Sequence, residues 1–223
     1  MSDSAATILA LAPVLPVVTI NDLSSVIPLG KALLDGGLPV LEVTLRTPEG
    51  LQAIRMLKDA LPDAVVGAGT VLSVKDLDEA LAAGADFIVT PGATRELLNA
   101  GAQCGKPFIP GFSTVSEMMA CLDAGLFALK FFPAEVNGGP AALRAFSGPF
   151  PHVSFCPTGG VTPANLASYL ALPAVKSVGG SWMCAADDIA LCRWERIADL
   201  ARQACEQVAE VSAERSGAAC PNT

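Results

Sequence analysis

The chain has 223 residues, 52% hydrophobic and only 16% charged, so it can bury a sizeable core and is not a disordered polymer. Acidic residues outnumber basic ones, 22 to 14, which argues against a nucleic-acid partner but not against a small anion held by one cation or a helix N-terminus. Seven scattered cysteines, no secretory signal and no apolar run of bilayer length lead to the expectation of free thiols in the cytoplasm and no membrane partner.

A short helix is expected over 1–12, followed by a strand at 14–20. The spacing of Leu23, Ile27, Leu33 and Leu34 predicts a helix over 22–35, capped by Asn21 or Asp22 and stopped at Gly36-Gly37. Strands are then predicted at 39–46, 65–70, 86–90, 107–111, 126–132, 153–157 and 175–178. The helices between them are expected at 48–61, 73–83, 94–104, 115–124, 140–146 and 163–171. Ser73 and Thr114 serve as caps, and Gly84 and Gly125 as stops. A long closing helix is expected over 187–212, and a disordered tail from about 213.

Strand-then-helix units at regular spacing, with apolar, β-branched strands, predict a single (β/α)8 TIM barrel over 1–223 with an extra N-terminal helix. An open doubly wound sheet fits less well, because no G-x-G-x-x-G follows the first strand.

In such a barrel the chemistry sits at the C-terminal ends of the strands. Alternation on the second strand puts Val40, Glu42, Thr44 and Arg46 on one face and Leu41, Val43 and Leu45 on the other. The apolar set should meet the outer helices, which turns Glu42 and Arg46 into the barrel. The stretch 126–135 reads Leu-Phe-Ala-Leu-Lys-Phe-Phe-Pro-Ala-Glu, and Lys130 shares its face with Leu126, Ala128 and Phe132. Taken alone, this is a lysine that snorkels its ammonium to water. Turned inward beside Glu42 and Arg46, it reads instead as an amine nucleophile for a carbonyl, partnered by a carboxylate that burial obliges to be paired. A buried ion pair serving only the fold is the alternative.

Two glycine-rich segments, Thr158-Gly159-Gly160 and Gly179-Gly180-Ser181, follow the seventh and eighth strands. Barrels frequently build phosphate sites there from backbone N–H groups, although ordinary turn chemistry also favours these residues. Cys156 reads as a small buried strand residue rather than a nucleophile. His152 is the sole histidine and is expected on the surface at the opposite end, which leaves no set of residues for a His-rich metal site.

The segments Leu41-Glu-Val-Thr-Leu-Arg46, Val66-Gly-Ala-Gly-Thr-Val71, Ile109-Pro-Gly-Phe-Ser-Thr-Val115, Lys130-Phe-Phe-Pro-Ala-Glu135, Phe155-Cys-Pro-Thr-Gly-Gly160 and Val178-Gly-Gly-Ser-Trp182 resemble the 2-keto-3-deoxy-6-phosphogluconate (KDPG/KHG) aldolases, class I aldolases of the Entner–Doudoroff route. The resemblance implies Lys130 as the Schiff-base lysine and Glu42 as general acid/base. It implies Arg46 and Thr70 on the substrate carboxylate, Pro91 and Phe132 lining the pocket, and Thr158 near the sugar hydroxyls. Gly159, Gly160, Gly180 and Ser181 would bind the phosphate. It further implies no metal, no cofactor, a homotrimer, and a 2-keto acid sugar phosphate as the small-molecule partner. The readings to be excluded are a metal-dependent aldolase, a sugar-phosphate epimerase or isomerase, and a barrel that only binds its ligand.

Overall fold

The computed structural model describes residues 4–217. Helix α1 (Ser4–Leu11) leads into β1 (Val14–Val18), and a 3-10 turn (Leu23–Ser25) opens α2 (Val26–Asp35). There follow β2 (Val40–Thr44), α3 (Gly50–Ala60), β3 (Val65–Gly69), α4 (Val74–Ala82), β4 (Phe87–Val89) and α5 (Arg95–Gln103). Next come β5 (Phe108–Ile109), β6 (Gly111–Phe112), α6 (Val115–Asp123), β7 (Ala128–Phe131), α7 (Gly139–Ser147) and β8 (Ser154–Pro157). The chain ends with α8 (Leu166–Leu170), β9 (Val178–Gly180), α9 (Ala186–Ala190) and α10 (Trp194–Gly217).

Local chemistry explains the boundaries. The side chains of Asp22, Ser73 and Thr94 accept hydrogen bonds from backbone N–H groups at the starts of their helical segments. Thr114 and Glu117 form a reciprocal capping box on α6. The strands consist mostly of valine, isoleucine, leucine and phenylalanine, and all pair in parallel. One sheet has six strands in the order β5-β4-β3-β2-β1-β9, and the other has three in the order β6-β7-β8. Only Pro110 separates β5 from β6, and its carbonyl accepts from the Lys130 amide. Single parallel bridges join Phe155 to Val175 and Thr158 to Gly179. The architecture is a TIM-barrel-like α/β fold.

The core divides as strand alternation requires. Leu41, Val43, Leu129 and Phe131 belong to the large cluster packed under the helices. Val40, Phe87, Val89, Ile109, Ala128 and Cys156 form an inner cluster, against which α1 packs Ala5 and Leu9.

Several boundaries differ from expectation. The fifth strand is split at Pro110, which has no N–H to give to a ladder. The last strand lies at Val178–Gly180 rather than 175–178, because Val178-Gly-Gly180 pairs with Val14-Leu-Pro16 while Val175 makes only a bridge to β8. The closing helix is two helices, broken at Cys192, which takes a left-handed φ of 52°. The tail expected from 213 is helical through Gly217, continuing α10. The rest of that tail and the first three residues lie outside the described residues.

Candidate active site

β2 and β7 each turn one charged side chain into the barrel. Lys130 Nζ donates to Glu42 Oε1 at 3.0 Å, and the two side chains are 5% and 1% exposed. β-strand parity produces this meeting: each residue alternates with apolar neighbours that face the helices. Glu42 Oε2 is buried with no hydrogen-bond partner among the described residues. A buried carboxylate oxygen left in this state can accept a proton from, or donate one to, a bound molecule. Lys130 Nζ also lies 5.5 Å from the centroid of the Phe132 ring, within cation–π range. Room for the Glu42 side chain comes from Gly69 on β3. Gly67, on the same strand, makes room for the Phe87 ring.

A cavity of about 500 Å³ opens on Phe132 and Arg46. Its walls carry Arg46, Phe132, Thr158, Gly159, Gly160, Gly180 and Ser181, which brings seven of the residues singled out in the sequence to one place. Lys130 and Glu42 do not line it, but Phe132, whose ring lies 5.5 Å from Lys130 Nζ, does. Thr70 and Pro91 do not line it either. Thr70 is nevertheless tied to it, since Arg46 Nε donates to Thr70 Oγ1 at 3.3 Å. Thr70 is a β-branched residue held at φ 59°, a strained conformation that recurs at functional sites. The Pro91 backbone packs against Gly111, the register partner of Lys130, where a Cβ would lie 2.3 Å from the Pro91 carbonyl.

The two glycine segments lie side by side on the cavity wall, joined by the bridge between Thr158 and Gly179. Gly159 and Gly160 adopt φ of 96° and 83°, a left-handed pair that L side chains rarely take. Gly179 accommodates Thr158, whose Oγ1 would lie 2.3 Å from a Cβ there, and Gly180 lies under the Trp182 ring. Arg46 is the one cation on the cavity wall among the described residues.

Sequence reasoning passed over Thr19 and Asn21, which follow β1 and also line the cavity. Thr19 Oγ1 lies 3.0 Å from the hydroxyl of Thr44, two residues from Glu42 on the same inward face. The polar character of Thr19 at a strand end was the available signal. Cys156 is buried, and burial pushes its thiol up to about 11, against nucleophilic use. His152 is exposed and stacks edge-on against Phe127 at 5.5 Å. Among the described residues no three His, Cys, Asp or Glu side chains gather as a metal site would need, and no helix is long and apolar enough to cross a membrane.

A family model described as KDPG and KHG aldolase matches residues 5–200. The KHG/KDPG aldolase of Escherichia coli K12 is 51% identical over 203 residues, covering 91% of this chain and 95% of the relative. A crystal structure of KDPG aldolase from Legionella pneumophila, with pyruvate captured at low pH as a covalent carbinolamine intermediate, superposes with a TM-score of 0.88. It is 45% identical and covers 90% of this chain and 97% of that one. The Zymomonas mobilis ZM4 aldolase, solved with 3-phosphoglycerate, has a TM-score of 0.86 at 44% identity, covering 92% of this chain and 96% of that one. Motifs, fold and matched length agree: the chain belongs to the KDPG and KHG aldolase family, and its activity is that of an aldolase.

Proposed function

We propose that this protein cleaves 2-dehydro-3-deoxy-6-phosphogluconate to pyruvate and glyceraldehyde 3-phosphate through a Schiff base on Lys130. We propose that it also cleaves 4-hydroxy-2-oxoglutarate to pyruvate and glyoxylate. The observation that carries this reading is the buried Lys130–Glu42 hydrogen bond of 3.0 Å, next to Phe132 on the wall of a cavity rich in glycine.

In this reading the pair does the proton work. Moving one proton along the hydrogen bond leaves a neutral amine, which attacks the C2 carbonyl to give a carbinolamine. Glu42 returns its proton to the C2 oxygen, which leaves as water, so the products are an iminium ion and the Glu42 carboxylate. Glu42 takes the C4 hydroxyl proton, the C3–C4 bond breaks, and its electron pair flows to the iminium as the enamine forms. The aldehyde leaves, C3 regains a proton, and water hydrolyses the iminium to pyruvate and free Lys130. The water lost on entry is regained on exit. A positioned acid/base of this kind contributes roughly 10²–10⁴-fold.

Arg46, with Thr70, holds the substrate carboxylate, for which the guanidinium supplies a two-pronged donor. Phe132, whose ring lies 5.5 Å from Lys130 Nζ, forms with Pro133 the wall that keeps the amine dry and aimed, and Pro91 backs the pocket from the neighbouring strand end. Thr158 faces the sugar hydroxyls. Gly159, Gly160, Gly180 and Ser181 receive the phosphate. The pyruvate carbinolamine of the Legionella enzyme supports the covalent step, and the 3-phosphoglycerate of the Zymomonas enzyme supports a phosphate subsite.

The same reading takes β5 and β6 as one kinked strand and the two bridges from β8 as the closing seam, giving a single (β/α)8 barrel domain. It takes the protein as a cytoplasmic homotrimer. The six described cysteines are all free, in keeping with a reducing compartment. Val115 and Met119, four residues apart on α6, are exposed apolar side chains that a contact between copies would cover. Pyruvate release from 2-dehydro-3-deoxy-6-phosphogluconate, its galactonate-derived epimer and 4-hydroxy-2-oxoglutarate tests the substrate assignment. The first should be turned over best, and silence with all three would overturn it.

A further inference from the structure

The Gly159–Gly160 loop is held from outside the cavity by Asn165, in the segment that follows it, and by Glu135, in the segment that follows β7. Asn165 Nδ2 donates to the Gly160 carbonyl at 3.0 Å, and its Oδ1 accepts from Thr162 N at 2.8 Å. The Gly159 carbonyl accepts from the Glu135 amide at 3.0 Å. With both carbonyls drawn outward, the N–H groups of Gly159 and Gly160 have no acceptor among the described residues.

Glu135 is the less secure part of this clamp. Its side chain packs directly on Gly160, where a Cβ would lie 2.5 Å from Glu135 Cγ. A free carboxylate at that place would swing toward the anion site and oppose it. Tyr169 bonds that carboxylate from the other side. Its ring is fully buried on α8, and its hydroxyl donates to Glu135 Oε1. Burial, and then the contact with Glu135, hold the phenol above its ordinary range, so it remains a donor. Gly139, at φ 55°, leaves the space in which carboxylate and hydroxyl meet.

We propose that Tyr169 is a positioning residue for phosphate recognition: by holding the Glu135 carboxylate away from the cavity, it keeps the Gly159–Gly160 loop shaped and uncluttered for a phosphate monoester. The inference rests on the assignment of that loop to the substrate phosphate.

The test compares wild type, Tyr169→Phe, Glu135→Gln and Glu135→Ala on 2-dehydro-3-deoxy-6-phosphogluconate and on phosphate-free 4-hydroxy-2-oxoglutarate. Tyr169→Phe should raise KM for the phosphorylated substrate about tenfold, with kcat within about twofold and the phosphate-free substrate unaffected. Glu135→Gln, which keeps an acceptor for the phenol, and Glu135→Ala, which removes the carboxylate to be restrained but keeps the amide that holds Gly159, should both keep KM for the phosphorylated substrate within about twofold of wild type. An unchanged KM in Tyr169→Phe, or equal losses on both substrates, would overturn the positioning role. Inhibition by inorganic phosphate separates the two assumptions. If inorganic phosphate fails to compete with the phosphorylated substrate in wild type, the loop assignment itself falls, and this inference with it. If it competes in wild type and equally well in Tyr169→Phe, only the role of Tyr169 falls.

Discussion

Gly69 and Glu42 are packed so closely that a Cβ on Gly69 would lie 2.2 Å from Glu42 Oε1 and 2.5 Å from its Cγ. The carboxylate that meets Lys130 therefore depends on a missing side chain on the neighbouring strand. Gly69→Ala must displace Glu42 or open β2 from β3. A displacement near 1 Å at a reacting group costs roughly 10²-fold, so kcat should fall about that much. Overpacking should also remove about 1–3 kcal/mol of stability. Steady-state kinetics beside a thermal melt checks both, and a variant with wild-type kcat would contradict the geometry.

The Lys130–Glu42 bond itself predicts a non-additive stability pattern. Lys130→Met leaves a carboxylate buried without its cation and should destabilise by about 3–5 kcal/mol. Lys130→Met with Glu42→Leu replaces both charges with apolar groups and should recover most of that loss. Both proteins should be inactive. Denaturant unfolding of the two single variants and the double variant closes the cycle, and simple additivity would show that the pair does not interact as described.

How much of this was legible in the sequence differs by element. Alternation along β2 and β7 located Glu42 and Lys130 on inward faces, because a two-residue period needs only the strand itself. The dependence of Glu42 on Gly69 was hidden, since it arises between strands. Strand preference pointed to 175–178 because Val175 and Val178 are β-branched. The pairing edge is instead Val178-Gly-Gly180, and glycine carries no strand signal. No glycine or proline lies between Asp187 and Ser212, so the break at Cys192 left no mark in the periodicity. The contact between Tyr169 and Glu135 joins residues 34 apart, with no motif linking them.

Thr70 makes a separate case. Its left-handed backbone is costly for a β-branched residue, by about 1–3 kcal/mol. Thr70→Gly should release part of that strain and raise the melting temperature. It also removes the hydroxyl that accepts from Arg46. The stabilised variant should bind pyruvate more weakly, seen as a higher KM in the condensation direction. A variant less stable than wild type would show that no strain is stored at this residue.

The thiols supply a chemical check on burial. Burial lifts Cys156 to about 11 and Cys121 and Cys184 to about 12, while Cys192 is exposed. Iodoacetamide at pH 8 should therefore label Cys192 in the folded protein and spare the other three. Cys156→Ala should retain most of the activity. Peptide mapping after a timed reaction reads the labelling, and rapid modification of Cys156 would contradict its placement in the inner cluster.

The central claim is that Lys130 forms the covalent bond to substrate. Incubation with pyruvate and borohydride, followed by mass spectrometry of the intact protein and its peptides, reads it directly. The account predicts one pyruvate-derived adduct per chain, located on Lys130, and none in Lys130→Met. No mass increase in wild type, or an adduct on any other lysine, would contradict it.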